Sequence, residues 1–335
     1  MDRTHESRRH WRLWPVLAAA VLVAAVLSVA VGSASLPPGR VLAALAGGGD
    51  PVERAIVLEL RLPRAILGLA VGATLGLAGG ALQGYLRNPL AEPSVLGASN
   101  GAALGAVVAL YFGVAEWNGA ALLGLAIVGA LLGLTLLFLL AGRSESSLTL
   151  ILAGIAVATL AGAGISLALN LSPNPFAAME ITTWLLGSLE DRAFSHVALA
   201  LPGMAVGAAL LLWNGRALDA LTLGEDGAAA LGVDLPRMRA RLLVGLALGV
   251  GSAVAVSGAI GFVGLIVPHL VRPLTDRSPS AVLLPSALAG AALLSLADVA
   301  VRVIPTTNEL KLGVVTAFLG VPVFLVHLMR ERRLW

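Results

Sequence analysis

Apolar residues dominate this chain in long runs that are separated by short polar breaks. Ten runs are candidates for helices that cross ~30 Å of hydrocarbon, and most of them have about the length that this needs. They lie at 14–34, 64–84, 95–113, 120–141, 148–170, 195–213, 240–258, 259–272, 282–301 and 313–329. The 259–272 run would reach only about 21 Å as a helix, so we expect it to be tilted, kinked or sheltered by protein. The pattern predicts an all-α, polytopic membrane protein with ten transmembrane helices.

The domain organisation follows from the same pattern. Residues 1–13 form a basic tail, and residues 14–335 form a single transmembrane domain with a polar loop at about 214–239. The basic start and the small residues Ser33-Ala34-Ser35 are also compatible with a secretory signal peptide. Signal peptides have apolar regions of about 7–15 residues, so the length of the first run favours an uncleaved span.

Composition supports a lipid environment. Hydrophobic residues make up 58% of the chain and charged residues only 12%, whereas soluble domains carry about 25% charged residues. The absence of cysteine excludes disulfides and thiolate metal sites. Fifteen of the 22 basic residues fall on the side of the N-terminus. Such a bias marks the cytoplasmic side, so we expect both termini in the cytoplasm and no nucleic-acid partner.

Glycine recurs every fourth residue in the second run. The positions are Gly68, Gly72, Gly76, Gly80 and Gly84. On a helix they form a stripe without side chains, which lets another helix approach to backbone contact. The stripe predicts close helix packing, and a polar break at 87–93 follows it.

The chain shows few residues that are typical of catalysis or ion transport. Its only lysine, Lys311, precedes Leu312, so the lysine and hydroxyl pair of a phosphate-binding loop is absent. We find no metal-ligand or nucleophile–base spacing and expect neither enzyme activity nor a bound cofactor. Asp298 and Arg302 are spaced for a local ion pair. An ion-coupled secondary transporter stays an alternative, although it would favour more intramembrane ionisable residues. A membrane scaffold is a second alternative.

The loop at 214–239 has the pattern of two short helices. Ala217–Leu223 forms the first, and a second runs from Gly224 to Leu231, where Gly232 would end it. Two such helices predict a docking knob on the cytoplasmic face. An amphipathic interfacial loop is the alternative.

Six motifs in order resemble one family. They are RLPR at 61–64, NPLAEP at 88–93, LGASNGA at 96–102, LTLGEDGAAALGV at 221–233, GAIGFVGLIVPHLVR at 258–272 and LADVAVR at 296–302. Together they resemble the FecCD family, the permease subunits of ABC importers for iron–siderophore complexes, haem and vitamin B12. The resemblance covers about residues 55–329.

The resemblance implies the type II ABC importer permease fold and a set of partners. A second copy of the chain would complete a homodimer, with two ABC ATPase subunits below it and an extracytoplasmic substrate-binding protein above. ATP and Mg would bind to the ATPase subunits. The location would be the bacterial cytoplasmic (inner) membrane, and the substrate an iron–siderophore, haem or cobalamin.

The resemblance also implies roles for three groups of residues. Those for ATPase coupling are Leu223, Gly224, Glu225, Asp226, Ala230, Leu231 and Gly232. Those for the cytoplasmic gate are Asn88, Pro89, Leu90, Ser146 and Ser147. Those for docking of the binding protein are Arg61, Arg64 and Arg302, although the first two also suit an interfacial anchor.

Two regions depart from the family pattern. The chain has Glu309-Leu310-Lys311-Leu312-Gly313 where the family often has Glu-Leu-Pro-hydrophobic-Gly. Lys311 therefore adds a positive charge on the outer side. The outer loop 171–194 has polar residues that match no family position, and it is expected near the entry of the substrate.

Overall fold

A computed structural model describes residues 3–142, 147–306 and 308–331. These residues form sixteen α-helices and no β-strand, with a π-helical segment at Ile56–Arg61 and a 3-10 turn at Arg272–Leu274. The α-helices are α1 (Arg3–Ala30), α2 (Pro38–Leu45), α3 (Pro51–Ala55), α4 (Leu62–Leu86), α5 (Ala98–Tyr111), α6 (Val114–Trp117), α7 (Gly119–Ala141), α8 (Ser147–Asn170), α9 (Pro175–Leu185), α10 (Phe194–Trp213), α11 (Gly215–Leu221), α12 (Glu225–Ala230), α13 (Leu235–Ser257), α14 (Val263–Val271), α15 (Pro279–Val303) and α16 (Leu312–Glu331).

The helices account for the ten predicted runs. Seven helical segments of the described chain are long and apolar enough to cross a membrane: α1, the continuous segment from α3 to α4, α7, α8, α10, α13 and α15. Three shorter apolar helices, α5, α14 and α16, take the remaining places. The all-α membrane architecture is therefore confirmed.

Burial divides the long helices into two groups. Most of the apolar length of α4, α13 and α15 is buried inside the subunit. Less than a third of the apolar length of α1, α7, α8 and α10 is buried, as expected for helices that face lipid or a partner. Helix α4 contacts α15, α14, α10 and α13, so the glycine-striped helix lies at the centre of the bundle.

Two faces of the bundle carry polar residues. At one end of α4 lie Arg61, Arg64 and Arg302, and we call this end the arginine face. At the other end lie α11 and α12 with the start of α13, and we call residues 215–234 the helical knob and this end the knob face. Helix α4 has 25 residues, so it spans the distance of about 37 Å between the two faces.

The short run predicted at 259–272 is sheltered by protein, as expected. Helix α14 has nine residues and packs against α4, α15 and α16. Its buried side chains include Val263, Ile266 and Val267. Protein therefore surrounds the segment that is too short to face lipid over the full membrane thickness.

The structure corrects two details of the predicted pattern. Helix α9 lies inside the 171–194 loop, for which we expected no helix, and begins where the Asn174 side chain accepts a hydrogen bond from Ala177 N. The third run begins at Ala98 rather than at residue 95. Pro93 lacks a donor and Gly97 has a φ of +80°, so the chain stays irregular up to that point.

Candidate functional site

All five glycines of the stripe lie against α15, between Pro279 at its start and Ser295. The nearest atoms to an added Cβ belong to Ser295 at Gly68, Gly290 at Gly72, Ser286 at Gly76 and Gly80, and Pro279 at Gly84. The contacts at Gly72 and Gly76 are with the backbone of α15, and a Cβ there would lie well inside van der Waals distance. This is the small-residue packing that brings membrane helices together.

One glycine outside the stripe makes an equally close contact. Gly79 faces α14, where a Cβ would lie 2.5 Å from Gly264 Cα and nearer still to its carbonyl oxygen. The four-residue spacing did not include this position. The adjacent pair Gly79-Gly80 could have indicated this contact. Two neighbouring glycines destabilise a helix, so their presence suggests that two faces of the helix need close approach.

Gln83 supplies a hydrogen bond that the backbone of α14 lacks. Pro268 lies within α14 and has no N–H, so the carbonyl of Gly264 loses its helical donor. The Gln83 side chain donates from Nε2 to the carbonyl oxygens of Gly264 and Leu265, both at 3.3 Å. Its Oε1 accepts from Arg272 Nη2 at 2.7 Å. The amide thus ties α4 to both ends of the short helix.

Replacing Gln83 with methionine is expected to destabilise the protein by about 1–3 kcal/mol, because buried carbonyl and guanidinium groups lose their partner. Pro268→Ala is the informative second change, since alanine restores an N–H that can donate to Gly264. Thermal unfolding of the four chains in detergent forms a double-mutant cycle. If Gln83→Met lowers the stability equally with and without Pro268→Ala, Gln83 does not compensate for the missing N–H of Pro268.

The gate residues predicted at 88–90 lie at the knob face, directly after α4. Helix α4 ends at Arg87, which has a φ of +50°. The side chain of Asn88 then accepts a hydrogen bond from Leu90 N at 2.8 Å, which closes a tight turn. Asn88, Pro89 and Leu90 are partly exposed. Ser146 lies outside the described residues, and Ser147 begins α8.

A buried carboxylate joins the segment after the gate turn to α14. Glu92 Oε2 accepts from Phe262 N at 3.2 Å, and Ser94 Oγ donates to Oε1. Phe262 has a left-handed φ of +67° and precedes the first residue of α14. Glu92 has no ion-pair partner among the residues that the structure describes. The sequence pattern placed Glu92 in a polar break and did not predict its burial.

The helical knob has the predicted two-helix form. Helices α11 and α12 begin and end within two residues of the predicted bounds, and Gly232 follows α12 with a φ of +81°. Leu218, Leu221 and Ala228 are buried beneath the knob. Leu223 and Leu231 are 69% and 64% exposed, at the two ends of α12. Asp226, Ala229 and Ala230 lie between them and are exposed, so a mainly apolar cap with one carboxylate faces away from the bundle.

The arginine face holds a buried ion cluster around one aspartate. Arg64 donates to Asp298 from Nε at 3.0 Å and from Nη2 at 2.8 Å, and it also pairs with Glu309. Arg302 Nη2 lies 3.0 Å from Asp298 Oδ2, which is the local ion pair predicted from the spacing. Asp298 is 1% exposed. The cluster therefore joins α4, α15 and the segment before α16.

Two arginines of this face also hold the end of α1. Arg61 donates to the carbonyl oxygens of Val29, Ala30 and Ala34, and Arg302 donates to those of Ser28 and Val31. These carbonyls have no donor within the helix. Cleavage after Ala34 would remove the carbonyl partners of Arg61 and would leave Arg302 with Asp298 alone. An uncleaved first span stays a prediction, and these contacts are in line with it.

The three arginines predicted for docking therefore already have partners within the subunit. Arg61, Arg64 and Arg302 are each at most 9% exposed. Arg61 and Arg302 line a polar cleft of about 210 Å³ together with Glu309 and the end of α1. A docking role stays a prediction, and it would require a partner group to share these side chains with their present contacts.

Lys311 and the 171–194 loop, the two regions that depart from the family pattern, contact each other. Lys311 Nζ pairs with Glu190 Oε2 at 2.8 Å, so the residue that departs from the family pattern ties the segment before α16 to the 171–194 loop. In the same loop Arg192 Nε donates to the carbonyl of Val256 at 2.7 Å. Burial lowers the pKa of Arg192, while Asp191 and Glu190 act in the opposite direction. The guanidinium stays charged, because its ordinary pKa is so high.

Comparison with known proteins gives consistent results. The model of the FecCD transport family matches residues 20–330. The vitamin B12 import system permease protein BtuC of Vibrio cholerae is 40% identical over 329 residues, which cover 98% of this chain and 96% of the relative. The ABC transporter permease protein YvrB of Bacillus subtilis, described as uncharacterized, is 41% identical over 324 residues, which cover 93% and 91%.

A solved structure agrees with these relatives. It is an inward-facing conformation of an ABC transporter described as metal-chelate type, with a TM-score of 0.84 and 32% identity. The match covers 95% of this chain and 98% of that chain. The family model spans most of the chain and the relatives are named as permease proteins, and the chain accordingly belongs to the FecCD transport family.

Proposed function

We propose that the chain is one half of a homodimeric pore that imports vitamin B12 or a related corrinoid across the bacterial cytoplasmic membrane. Relatives named as vitamin B12 or cobalamin import permeases, at 37–40% identity over at least 85% of this chain, support this substrate class. An iron–siderophore or haem is the second candidate, supported by the metal-chelate type of the solved neighbour. The bias of basic residues supports cytoplasmic termini.

The apolar cap of the helical knob carries the energy-coupling part of the proposal. Leu223 and Leu231 are large apolar side chains that a cytoplasmic surface rarely exposes together without a partner. Two ABC ATPase subunits would receive the two caps of the dimer. ATP and Mg would bind to those subunits, whose closure would press on the knob and thereby move the gate at Asn88–Leu90.

The arginine face supports docking of a substrate-binding protein in one specific way. Arg64 and Arg302 share carboxylate partners, but Arg61 has only neutral carbonyl oxygens as hydrogen-bond acceptors among the described residues. Arg61 is thus the guanidinium whose charge is least compensated locally. An acidic side chain of the binding protein at the mouth of the polar cleft would complement it.

Reconstitution tests the substrate. The chain, assembled in proteoliposomes with the ABC ATPase and the binding protein that co-purify with it, is expected to import radiolabelled cyanocobalamin only when ATP is supplied. Unlabelled ferric hydroxamate and haemin serve as competitors. Import of iron from the hydroxamate without cyanocobalamin uptake would replace the corrinoid by an iron chelate. Uptake that is driven by an ion gradient without ATP would support the secondary transporter instead.

Replacing both Leu223 and Leu231 with aspartate is expected to abolish binding of the ATPase, because charges replace the apolar cap. Co-purification from detergent measures the ATPase retained, and the expected loss is about a hundredfold, as for the removal of an interface hot spot. Leu274→Asp is the matched control, since Leu274 is an exposed leucine outside the knob. Equal retention by the variant and the control would show that the cap is not the docking surface.

A further inference from the structure

A polar joint beneath the helical knob connects it to the end of α4. Arg239, in the first part of α13, donates from Nη2 to Glu225 Oε1 on α12. Helix α13 also packs against α4, and the Arg239 guanidinium lies within range of an electrostatic interaction with the hydroxyl of Tyr85 in the last turn of α4. We call Arg239, Glu225 and Tyr85 the knob joint.

The last turn of α4 is held firmly at this joint. The Tyr85 ring packs edge-on against Phe138 of α7, with the ring centroids 6.0 Å apart. At Gly84 an added Cβ would lie 3.0 Å from Pro279 and 3.7 Å from Leu218 of the knob. Helices α11 and α15 thus both lie against the end of α4, and packed surfaces of this kind transmit displacement rather than absorb it.

A second tether fixes the other side of the knob. Asp219 of α11 accepts a hydrogen bond from Ser280 N at 2.8 Å, in the first turn of α15. The knob is thus tied to α15 through Asp219 and to α13 and α4 through the knob joint. Of these helices, α4 is the one that leads into the predicted gate, since Tyr85 precedes Asn88 by three residues.

Glu225 is oriented for this internal contact. Its side chain is 18% exposed, whereas Leu223 and Leu231 project from the knob. Among the residues predicted for coupling, Glu225 therefore faces the permease and the two leucines face the partner. An ion pair that is partly shielded from water is directional and holds its two groups at a fixed separation.

We propose that Arg239 is a positioning residue for energy coupling, which holds Glu225 and Tyr85 together so that displacement of the knob reaches the gate segment 88–90. This inference rests on the proposed function. A bond that only stabilised the fold would raise or lower ATP hydrolysis and import together. A coupling link changes the ratio between them.

The reconstituted transporter gives the first test, with cyanocobalamin as the probe. Arg239→Gln and Glu225→Gln are each expected to lower the number of molecules imported per ATP hydrolysed by about fivefold or more, the usual size of a coupling effect. Glu225→Arg combined with Arg239→Glu is expected to recover most of that ratio. Arg40→Gln is the control, because it removes an exposed ion pair with Glu53 on the opposite face.

Hydrogen exchange on the purified permease gives a second test that needs neither ATPase nor substrate. Tyr85→Phe keeps the ring packing and removes only the hydroxyl. Amides of residues 84–91 are expected to exchange about tenfold faster in Arg239→Gln and Tyr85→Phe, as for the loss of a polar interaction with a charged group. The Arg40→Gln chain should match the wild type.

The outcomes separate the two proposals. A wild-type complex without ATP-driven import would overturn the proposed function, whereas exchange at 84–91 would still report on the joint. Import per ATP that is unchanged by Arg239→Gln in an active complex would overturn the coupling role. Unchanged exchange in both joint variants would overturn the positioning role itself. If Arg239→Gln fails to assemble, Tyr85→Phe and Glu225→Gln supply the same comparisons.

Discussion

Alanine in place of Gly76 is expected to destabilise the folded bundle strongly, whereas alanine in place of Gly80 is expected to be tolerated. At Gly76 the new Cβ would meet the backbone of α15, with Ser286 C at 3.1 Å, its carbonyl oxygen closer, and Gly290 Cα at 3.3 Å. Backbone of a central helix cannot rotate away. At Gly80 the nearest atom is Ser286 Oγ at 3.4 Å, a side-chain atom that can move.

Thermal unfolding in detergent measures the difference between the two variants. We expect Gly76→Ala to cost about 3 kcal/mol or more, the upper part of the range for an overpacked core. Gly80→Ala gains the higher helix propensity of alanine, about 1 kcal/mol, against a slight crowding. Two variants of equal stability would show that α4 and α15 separate easily, and the close-packing assignment would then be wrong.

Replacing Asp298 with asparagine is expected to be nearly as damaging as the change at Gly76. Arg64 and Arg302 both pair with this carboxylate in the buried part of the arginine face. Asparagine keeps the shape and removes the charge, so two guanidinium groups lose their shared anion. Breaking one side of a buried ion pair costs about 3–5 kcal/mol.

Lys311→Gln supplies the matched control for Asp298→Asn. Its pair with Glu190 is partly exposed, with side chains 20% and 38% accessible, and such pairs contribute about 1 kcal/mol or less. Unfolding temperatures of the two variants should therefore differ clearly. Equal shifts would mean that the aspartate is hydrated in the membrane-embedded protein and that the cluster is not a structural centre.

Local sequence patterns predicted most of the fold correctly. Apolar runs located the seven helices that are long enough to cross a membrane and the three shorter apolar helices, because a helix satisfies its backbone internally and so appears as one continuous segment. The ion pair between Asp298 and Arg302 was also predictable, since residues four apart share a helix face. The two helices of the knob were predictable from Gly224 and Gly232, because glycine often marks the end of a helix.

Contacts between distant segments were not predictable from those patterns. Arg64 pairs with a carboxylate 234 residues away, and no local period indicates that partner. The three arginines accordingly looked like an exposed docking set, but the structure shows them buried against α1, α15 and Glu309. Gln83 was missed for a related reason, since its task depends on a proline in another helix.

Part of the candidate site could be predicted from the sequence, and part depends on how the surrounding helices pack. Leu223 and Leu231 lie on the exposed cap, as a docking knob requires. Glu225 has the same sequence neighbourhood but turns inward to Arg239. Helical periodicity over six residues is too short to separate the two orientations, so only the surrounding helices decide which residues face a partner.

The cap that Arg61 and Arg302 provide for α1 has a consequence for biosynthesis. Arg302 reaches Ser28 across 274 residues of chain, so the donor is made long after its acceptor has entered the bilayer. Until α15 is inserted, the last turn of α1 has only part of its native hydrogen bonding. Helix α1 leaves the ribosome well before α15 and therefore reaches its final state late, with the hydrogen bonds from Arg61 available before those from Arg302.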